Sequence, residues 1–525
     1  MSLQFHNQLS KKVDAFQPLH QGRVTLYTCG PTVYNYLTVG NWTAYVYWDT
    51  LVRVLQANDY RVDRVMNITD VGHLVSDADD GEDKLEKGAK RDGKTAWEVA
   101  KFYTDDFLAG MKALNLIVPT HIPHATEYIP QMLELVRTLK NKGYTYQIDD
   151  GIYYDTAKFP TYGDFADLDL DAQKAGARVE FNPEKRNPSD FALWKFTPKG
   201  ETRDMEWETP SDLLNRVSAT KSDETSAARE SEGANSPIDS RREAVSSDFG
   251  GTVPSSSKVM GFPGWHLECS AMAMTLLGET IDIHTGGIDH IPVHHTNEIA
   301  QSEAASGVTF ANYWLHNNHL KVDGTKISKS LGNGYTLQDL EEKGFSPLDL
   351  RLFILQSHYR TEGNFTFDNL AAARNRRLNW RNTAALRHQM HDTLQPDNIV
   401  ETESRSVSLY AASQALIETL SDDLNTPAGM AIIDEAFDTI RSTPVRDIHQ
   451  HAFITFLERV DELLGLKLLE TTPDITDEQK RLILERTRAR ENKDYQASDT
   501  LRSQLEKSGI TVRDTASGPV WEYTA

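Results

Sequence analysis

Residues 24–67 constrain the fold more tightly than any other stretch. The run VTLYTC, 24–29, has the length and the β-branched and aromatic content of a buried strand. A Gly30-Pro31 break follows, then a second turn that carries Gly40. Over 43–58 the apolar residues Tyr45, Trp48, Val52 and Leu55 recur at helical spacing and make one stripe. Residues 60–67 return as a strand. Strand, turn, helix and strand in this order form a βαβ unit, which requires a parallel sheet with helices on its faces. The expected class is therefore α/β.

The rest of the chain fits around that unit. A helix is expected at 127–141, with Ile129, Leu133 and Val136 on one side. A second α/β stretch runs from Thr280 through His284 into GGIDH, and a further helix begins over 292–306. From about Ser346 onward the pattern is helical, for example at 409–420, 427–440 and 479–490, so an all-helical C-terminal region is expected. Residues 211–258 break the pattern: rich in serine and charge, they bury too little apolar surface to offset the entropy of ordering. They read as a disordered insertion, with the ordered chain resuming at Gly261. At 525 residues there is room for two to four domains.

Composition excludes several classes of function. No run approaches the roughly 18 apolar residues that span a membrane. The first residues, MSLQFHNQLSKKVDAF, lack the apolar core of a signal peptide, so a cytoplasmic location is expected. Two cysteines, Cys29 and Cys269, rule out a disulfide framework. A net charge of -22 argues against nonspecific nucleic-acid binding, which needs clustered Lys and Arg. A local basic face remains open at residues 371–387, with five arginines and no acidic residue; a solvated helix face is the alternative.

Two groups of residues carry candidate chemistry. His294 and Glu298 are four apart, so a helix would set both on one face, and Cys269 lies 25 residues earlier. With Cys29 at the end of the first strand these make a four-ligand set of the kind zinc takes. His295 competes with His294 for the histidine place, and both cysteines also suit small buried apolar positions. The second group is KVDGTKISKSLGN, 321–333, whose Lys326 and Lys329 flank serines between glycines. Such a loop can neutralise phosphate charge, or it can be a plain surface loop.

Taken together, these segments resemble class I aminoacyl-tRNA synthetases, and among them the cysteinyl-tRNA synthetase family. The resemblance is carried by YTCGPTVYNY, MNITDVGHL, GFPGWHLECSAM and DIHTGGIDHIPVHHTNEIAQSEA. It continues through KISKS, SHYRTEGNFTFDNL, SDDLNTPAGM and RENKDYQASDTLRSQLEKSGITVRDT, and spans nearly the whole chain except 211–258. It implies a Rossmann-type catalytic domain over 1–335, with a connective insertion at about 115–200. A linking helical region over 336–390 and a helical anticodon-binding region over 391–525 would follow. It implies one zinc per subunit on Cys29, Cys269, His294 and Glu298, and substrate contacts at Thr69, Trp265, His284 and Asp289. Lys326, Ser328 and Lys329 would serve ATP and its magnesium, with Gly30, Gly40, Gly286 and Gly287 allowing close approach to the nucleotide. L-Cysteine, ATP and tRNA-Cys are the implied partners, for a monomer, without an editing domain.

One departure stands out. Where the family carries two histidines around a glycine, this chain has Thr38, Val39, Gly40 and Asn41. Thr38 and Asn41 keep polar donors that cannot carry a positive charge, so an active but slower enzyme is expected. Two alternatives stay open at this point: a non-catalytic paralogue that binds tRNA or zinc, and a ligase of the mycothiol type that passes activated cysteine to an amino sugar.

Overall fold

The computed structural model describes residues 3–71, 84–169, 182–215, 258–328, 331–390, 399–515 and 518–524. Residues 216–257, the bulk of the expected insertion, lie outside them, as does Lys329.

The strand Arg23–Thr28 is buried along all but its first residue, as an interior parallel strand must be. Its sheet has four parallel strands in the order Ala311–Asn317, Ile281–Gly287, Arg23–Thr28, Arg61–Met66. The chain leaves Arg23–Thr28 toward Arg61–Met66 on one side, and its later strands lie on the other. That reversal opens a crevice at the carboxyl ends of Arg23–Thr28 and Ile281–Gly287, the place where open α/β sheets bind ligands. Cys29 follows the first of these strands, and Gly286 and Gly287 end the second.

The crossover helix Val39–Ala57 begins four residues earlier than its apolar stripe implied. Gly40 and Asn41 therefore lie in its first turn and not in a loop, because Thr38 and Asn41 cap it. The helix buries Trp42 and Trp48 against the core. It also buries Asp49, bonded to Arg53 (2.7 Å) and ion-paired with Arg351. Arg351 donates to the carbonyls of Leu464 (2.6 Å) and Leu114 (2.9 Å), so this one cluster ties the crossover helix to the helix Gln450–Leu464.

Three expectations need correction. The connective insertion extends past 200: Thr145–Ile148, Gly151–Tyr154, Phe191–Phe196, Met260–Pro263 and Trp207–Glu208 form one five-stranded antiparallel sheet in that order. Residues 211–215 belong to this unit, with Leu213 1% exposed and Asp212 bonded to Arg137 (2.6 Å), and the chain rejoins the sheet at Met260 instead of Gly261. The C-terminal region is not all helical: after Tyr495–Lys507 the strands Ile510–Thr515 and Gly518–Tyr523 pair antiparallel. Their inward residues Ile510, Val512 and Trp521 complete a small core with Ile483 and Leu505.

Candidate active site

Four side chains meet at the crevice. The ligand atoms of Cys29, Cys269, His294 and Glu298 all lie within 4.8 Å of one another. Cys269 comes from the helix Trp265–Leu277, and Glu298 from Thr296–Ser306. His294 sits in the wider π-helical turn Ile291–His295 that leads into the latter. Cys29, His284, His295 and Glu298 meet the same distance limit, so the histidine ambiguity of the sequence reappears in space.

The donor chemistry of the first set fits zinc: two thiolates, one imidazole and one carboxylate. A particular atom supports the fit. Glu298 Oε1 is buried without a hydrogen-bond partner although His294 Nε2 stands 2.8 Å away, an ion pair by distance but not by direction. The other carboxylate oxygen takes a hydrogen bond from His284 Nε2 (2.8 Å), and His294 Nδ1 faces His266 Nδ1 (3.0 Å). Such outer contacts fix the orientation of metal-binding groups. Cys29 Sγ is 3.4 Å from His295 Nε2, whose other nitrogen is 2.7 Å from His316 Nε2.

The charges in this pocket act on one another. A hydrogen bond from Cys29 pulls the Cys269 thiol down to about 6, while burial pushes the Cys29 thiol up. Burial alone would lower His294, but the Glu298 and Cys269 charges outweigh it and raise the imidazole to about 10. Burial would likewise raise Glu298, yet His284 and His294 hold its carboxyl well below the usual range.

The residues expected around the amino acid are placed unevenly. Trp265 stacks on His294, with ring centres 4.3 Å apart. His284 is buried between Glu298 and Trp314, on which it stacks at 4.4 Å. Asp289 is exposed and folds back over Gly287, where an added Cβ would fall 2.3 Å from its Oδ1. Thr69 is buried, and its hydroxyl already bridges Asn67 Nδ2 (3.1 Å) and Glu268 Oε2 (2.8 Å). Sequence reasoning passed over Glu268, Asn67, His266, His290 and His316. Burial lifts the Glu268 carboxyl well above the usual range, and its Oε1 has no hydrogen-bond partner. The signal available for His290 and His316 was the density of histidines within 284–316, which does not reach His266.

The close approaches at Gly30 and Gly286, like that at Gly287, are to the chain itself. A Cβ on Gly30 would lie 1.5 Å from the Asn67 carbonyl oxygen, and one on Gly286 would lie 2.6 Å from atoms of both His290 and His295. At the helix start, the Thr38 N–H and hydroxyl both donate to Asn41 Oδ1 (2.9 Å each). The hydroxyl expected to serve a phosphate is thus engaged in the cap, which leaves Nδ2 of the exposed Asn41 as the donor this pair has to offer. Lys326 is exposed on the short strand Thr325–Lys326, and Ser328 N–H donates to Asn333 Oδ1 (2.9 Å).

The basic run 371–387 is not a free cationic face. It lies on the helix Phe367–Ala385 and just beyond, where Arg376 pairs with Asp434 and Arg377 with Asp349 (2.6 Å). Arg381 and Arg387 donate to the carbonyls of Thr471 (2.9 Å) and Thr472 (2.6 Å).

The family model of the tRNA synthetases class I (C) catalytic domain matches residues 15–213 and 248–375. That of the cysteinyl-tRNA ligase anticodon binding domain matches 472–521. Among solved structures, Mycobacterium tuberculosis methionyl-tRNA synthetase in complex with methionyl-adenylate is similar in fold. It has a TM-score of 0.52 at 14% identity, over 85% of this chain and 90% of that one. The LeuRS of an Agrobacterium radiobacter ternary complex has a TM-score of 0.55 at 13% identity, over 88% and 86%. Fold and crevice are those of a class I tRNA synthetase. The cysteine-tRNA ligase of Treponema denticola is 38% identical over 99% of this chain and 100% of its own length. Those of Burkholderia lata (38%; 99% and 96%) and Zymomonas mobilis (37%; 99% and 97%) are similar throughout. The chain belongs to the cysteine-tRNA ligase family of aminoacyl-tRNA synthetases.

Proposed function

We propose that this chain activates L-cysteine with ATP to cysteinyl-adenylate and transfers it to the 3′ end of tRNA-Cys. The observation that carries the reading is the convergence of Cys29, Cys269, His294 and Glu298 within 4.8 Å. One zinc per subunit held there would take the substrate's sulfur as thiolate and leave serine's harder hydroxyl unbound. Discrimination by direct ligation exceeds what an apolar pocket achieves, so no editing domain is needed. His284 and His266 would orient Glu298 and His294, Trp265 would cover the amino acid, and Asp289 would meet its ammonium. Thr69 would hold the crevice wall through Asn67 and Glu268.

The activation step asks the protein for position and charge, because the substrate carboxylate is itself the nucleophile. Lys326 and Lys329 would neutralise the departing pyrophosphate together with magnesium, and Ser328 would orient the loop. Asn41 would donate where a histidine otherwise stands, and Thr38 would hold it in place. Gly30, Gly286 and Gly287 would keep the crevice floor open, and Gly40 would keep the helix start clear.

The catalytic domain would cover 1–335, the linking helices 336–390, and the anticodon-binding region 391–525 with its terminal hairpin, the part that includes the 472–521 match. The chain would act as a cytoplasmic monomer; among the described residues no helix is long and apolar enough to cross a membrane. The test is Cys269→Ser. Zinc should fall from one per subunit toward none, and preference for cysteine over serine should go with it. Full zinc in the folded variant would overturn the ligand set. Charging of tRNA-Cys by the wild type would separate this reading from the mycothiol-type ligase.

A further inference from the structure

The start of helix Val39–Ala57 and the segment after the lysine loop are stitched together. Val39 N–H donates to the Tyr335 carbonyl (2.8 Å), and Thr38 bridges antiparallel to Thr336. Ile327, between Lys326 and Ser328, fills the space between them. A Cβ on Gly40 would fall 2.6 Å from Ile327 Cδ1, so the isoleucine occupies the notch that the missing side chain leaves. Gly334 closes the contact from the other side: a Cβ there would lie 3.0 Å from Thr38 Cγ2 and 3.6 Å from Ile327 Cγ2. Ile327 is thereby packed against the main core, while Lys326 beside it is exposed. Asn333 holds both flanks, accepting from Ser328 N–H (2.9 Å) and donating to the Lys326 carbonyl (3.2 Å).

We infer that Ile327 is a positioning residue for the lysine loop, seated in the Gly40 notch so that Lys326 stands at a fixed distance from the helix start. The inference rests on the proposed role of that loop in ATP activation. The lysine side chain is long and flexible, so the fixed point must be the backbone, and an apolar knob in a glycine socket supplies it. A β-branched knob is stiff at χ1 and holds register better than a linear one. Thr38, Gly40 and Ile327 then act as one unit, so the helix start and the lysine loop share a single contact.

The test is a double-mutant cycle on the full chain, with Ile327→Ala, Gly40→Ala, their combination, and Ile327→Met as the conservative variant. Misplacing a charged group by about 1 Å costs up to roughly 100-fold. Ile327→Ala should therefore lower kcat for ATP–pyrophosphate exchange by about 10- to 100-fold, with zinc content and KM for cysteine unchanged, and Ile327→Met should restore most of it. Gly40→Ala should lose kcat similarly without lowering the melting midpoint, since alanine is the better helix residue. The pair should lose less than the product of the single losses, because each removes the other's clash or contact. Amide hydrogen exchange at Val39 and Ser328 reads the seat without turnover. It should quicken at least tenfold in Ile327→Ala and stay near wild type in Ile327→Met. Unchanged protection, or strictly multiplicative kinetic losses, would overturn the inference. Changed protection in a protein without any pyrophosphate exchange would uphold the seat and refute the proposed activity.

Discussion

Replacing Thr38 and Asn41 together by histidine tests whether this helix start is a working variant or a damaged one. Asn41 Oδ1 accepts two hydrogen bonds from Thr38, each 2.9 Å. Histidine at both positions removes them and uncaps a helix of 19 residues. Loss of a cap costs about 1 kcal/mol, so the pair should cost on the order of 1–2 kcal/mol. For a chain this long, that lowers the apparent melting midpoint by about 2–4 °C per kcal/mol at most. The possible gain is also bounded, since one well-aimed donor at a developing charge is worth roughly 100- to 1000-fold. Asn41 Nδ2 already offers a donor, so the gain in cysteine-dependent ATP–pyrophosphate exchange should stay below about tenfold. Calorimetry and exchange kinetics on the same preparations decide it. A rise of 100-fold or more with an unchanged melting midpoint would refute the reasoning and show the natural residues to be a lesion.

Further outcomes follow from the packing. Arg351→Met should destabilise the chain by about 3–5 kcal/mol in urea unfolding, because it strips a partner from the buried Asp49 carboxylate; a cost below about 1 kcal/mol would contradict this. Burial alone would raise the Asp49 carboxyl, but Arg351 and Arg53 outweigh it and hold it below the usual aspartate range. Its contribution is therefore complete above the unfolded value near 3.9 and is lost as pH falls through the lower folded one. Acid unfolding below about pH 4 should be shallower in Asp49→Asn, and an unaltered acid limb would contradict the assignment. Replacing 216–257 by a short linker should leave activation intact, since Thr209 N–H already donates to the Val259 carbonyl (2.7 Å) across the join. Extending the deletion to 211–258 should cost about 1.5–3 kcal/mol through loss of the buried Leu213, and equal stability of the two deletions would refute its packing role.

The sheet was legible in the sequence because its strands are short apolar runs at a spacing that only a βαβ unit satisfies. The helix start was misjudged because Gly40 reads as a turn residue, whereas the Thr38 to Asn41 spacing is that of a side-chain cap. The four-residue set could be assembled from residue types but was singled out only through resemblance, for Cys29 and Cys269 are 240 positions apart and nothing local distinguishes either from a small buried apolar residue. Antiparallel strands of the insertion went unseen because partners such as Phe191–Phe196 and Met260–Pro263 are distant in sequence, and the connecting stretch hides their pairing. The terminal hairpin alternates correctly, but what holds it is remote: Gln389 bonds both N–H and carbonyl of Trp521 (3.0 Å each). The arginine run looked like a nucleic-acid face because its acidic partners, Asp349 and Asp434, lie outside it.

The central claim is catalysis with metal-based choice of cysteine, and ATP–pyrophosphate exchange by the purified, zinc-loaded wild type tests it most directly, with serine as the control amino acid. Exchange that depends on cysteine and is absent with serine is the predicted result. No exchange with cysteine from folded, zinc-loaded protein, or equal exchange with serine, would contradict it.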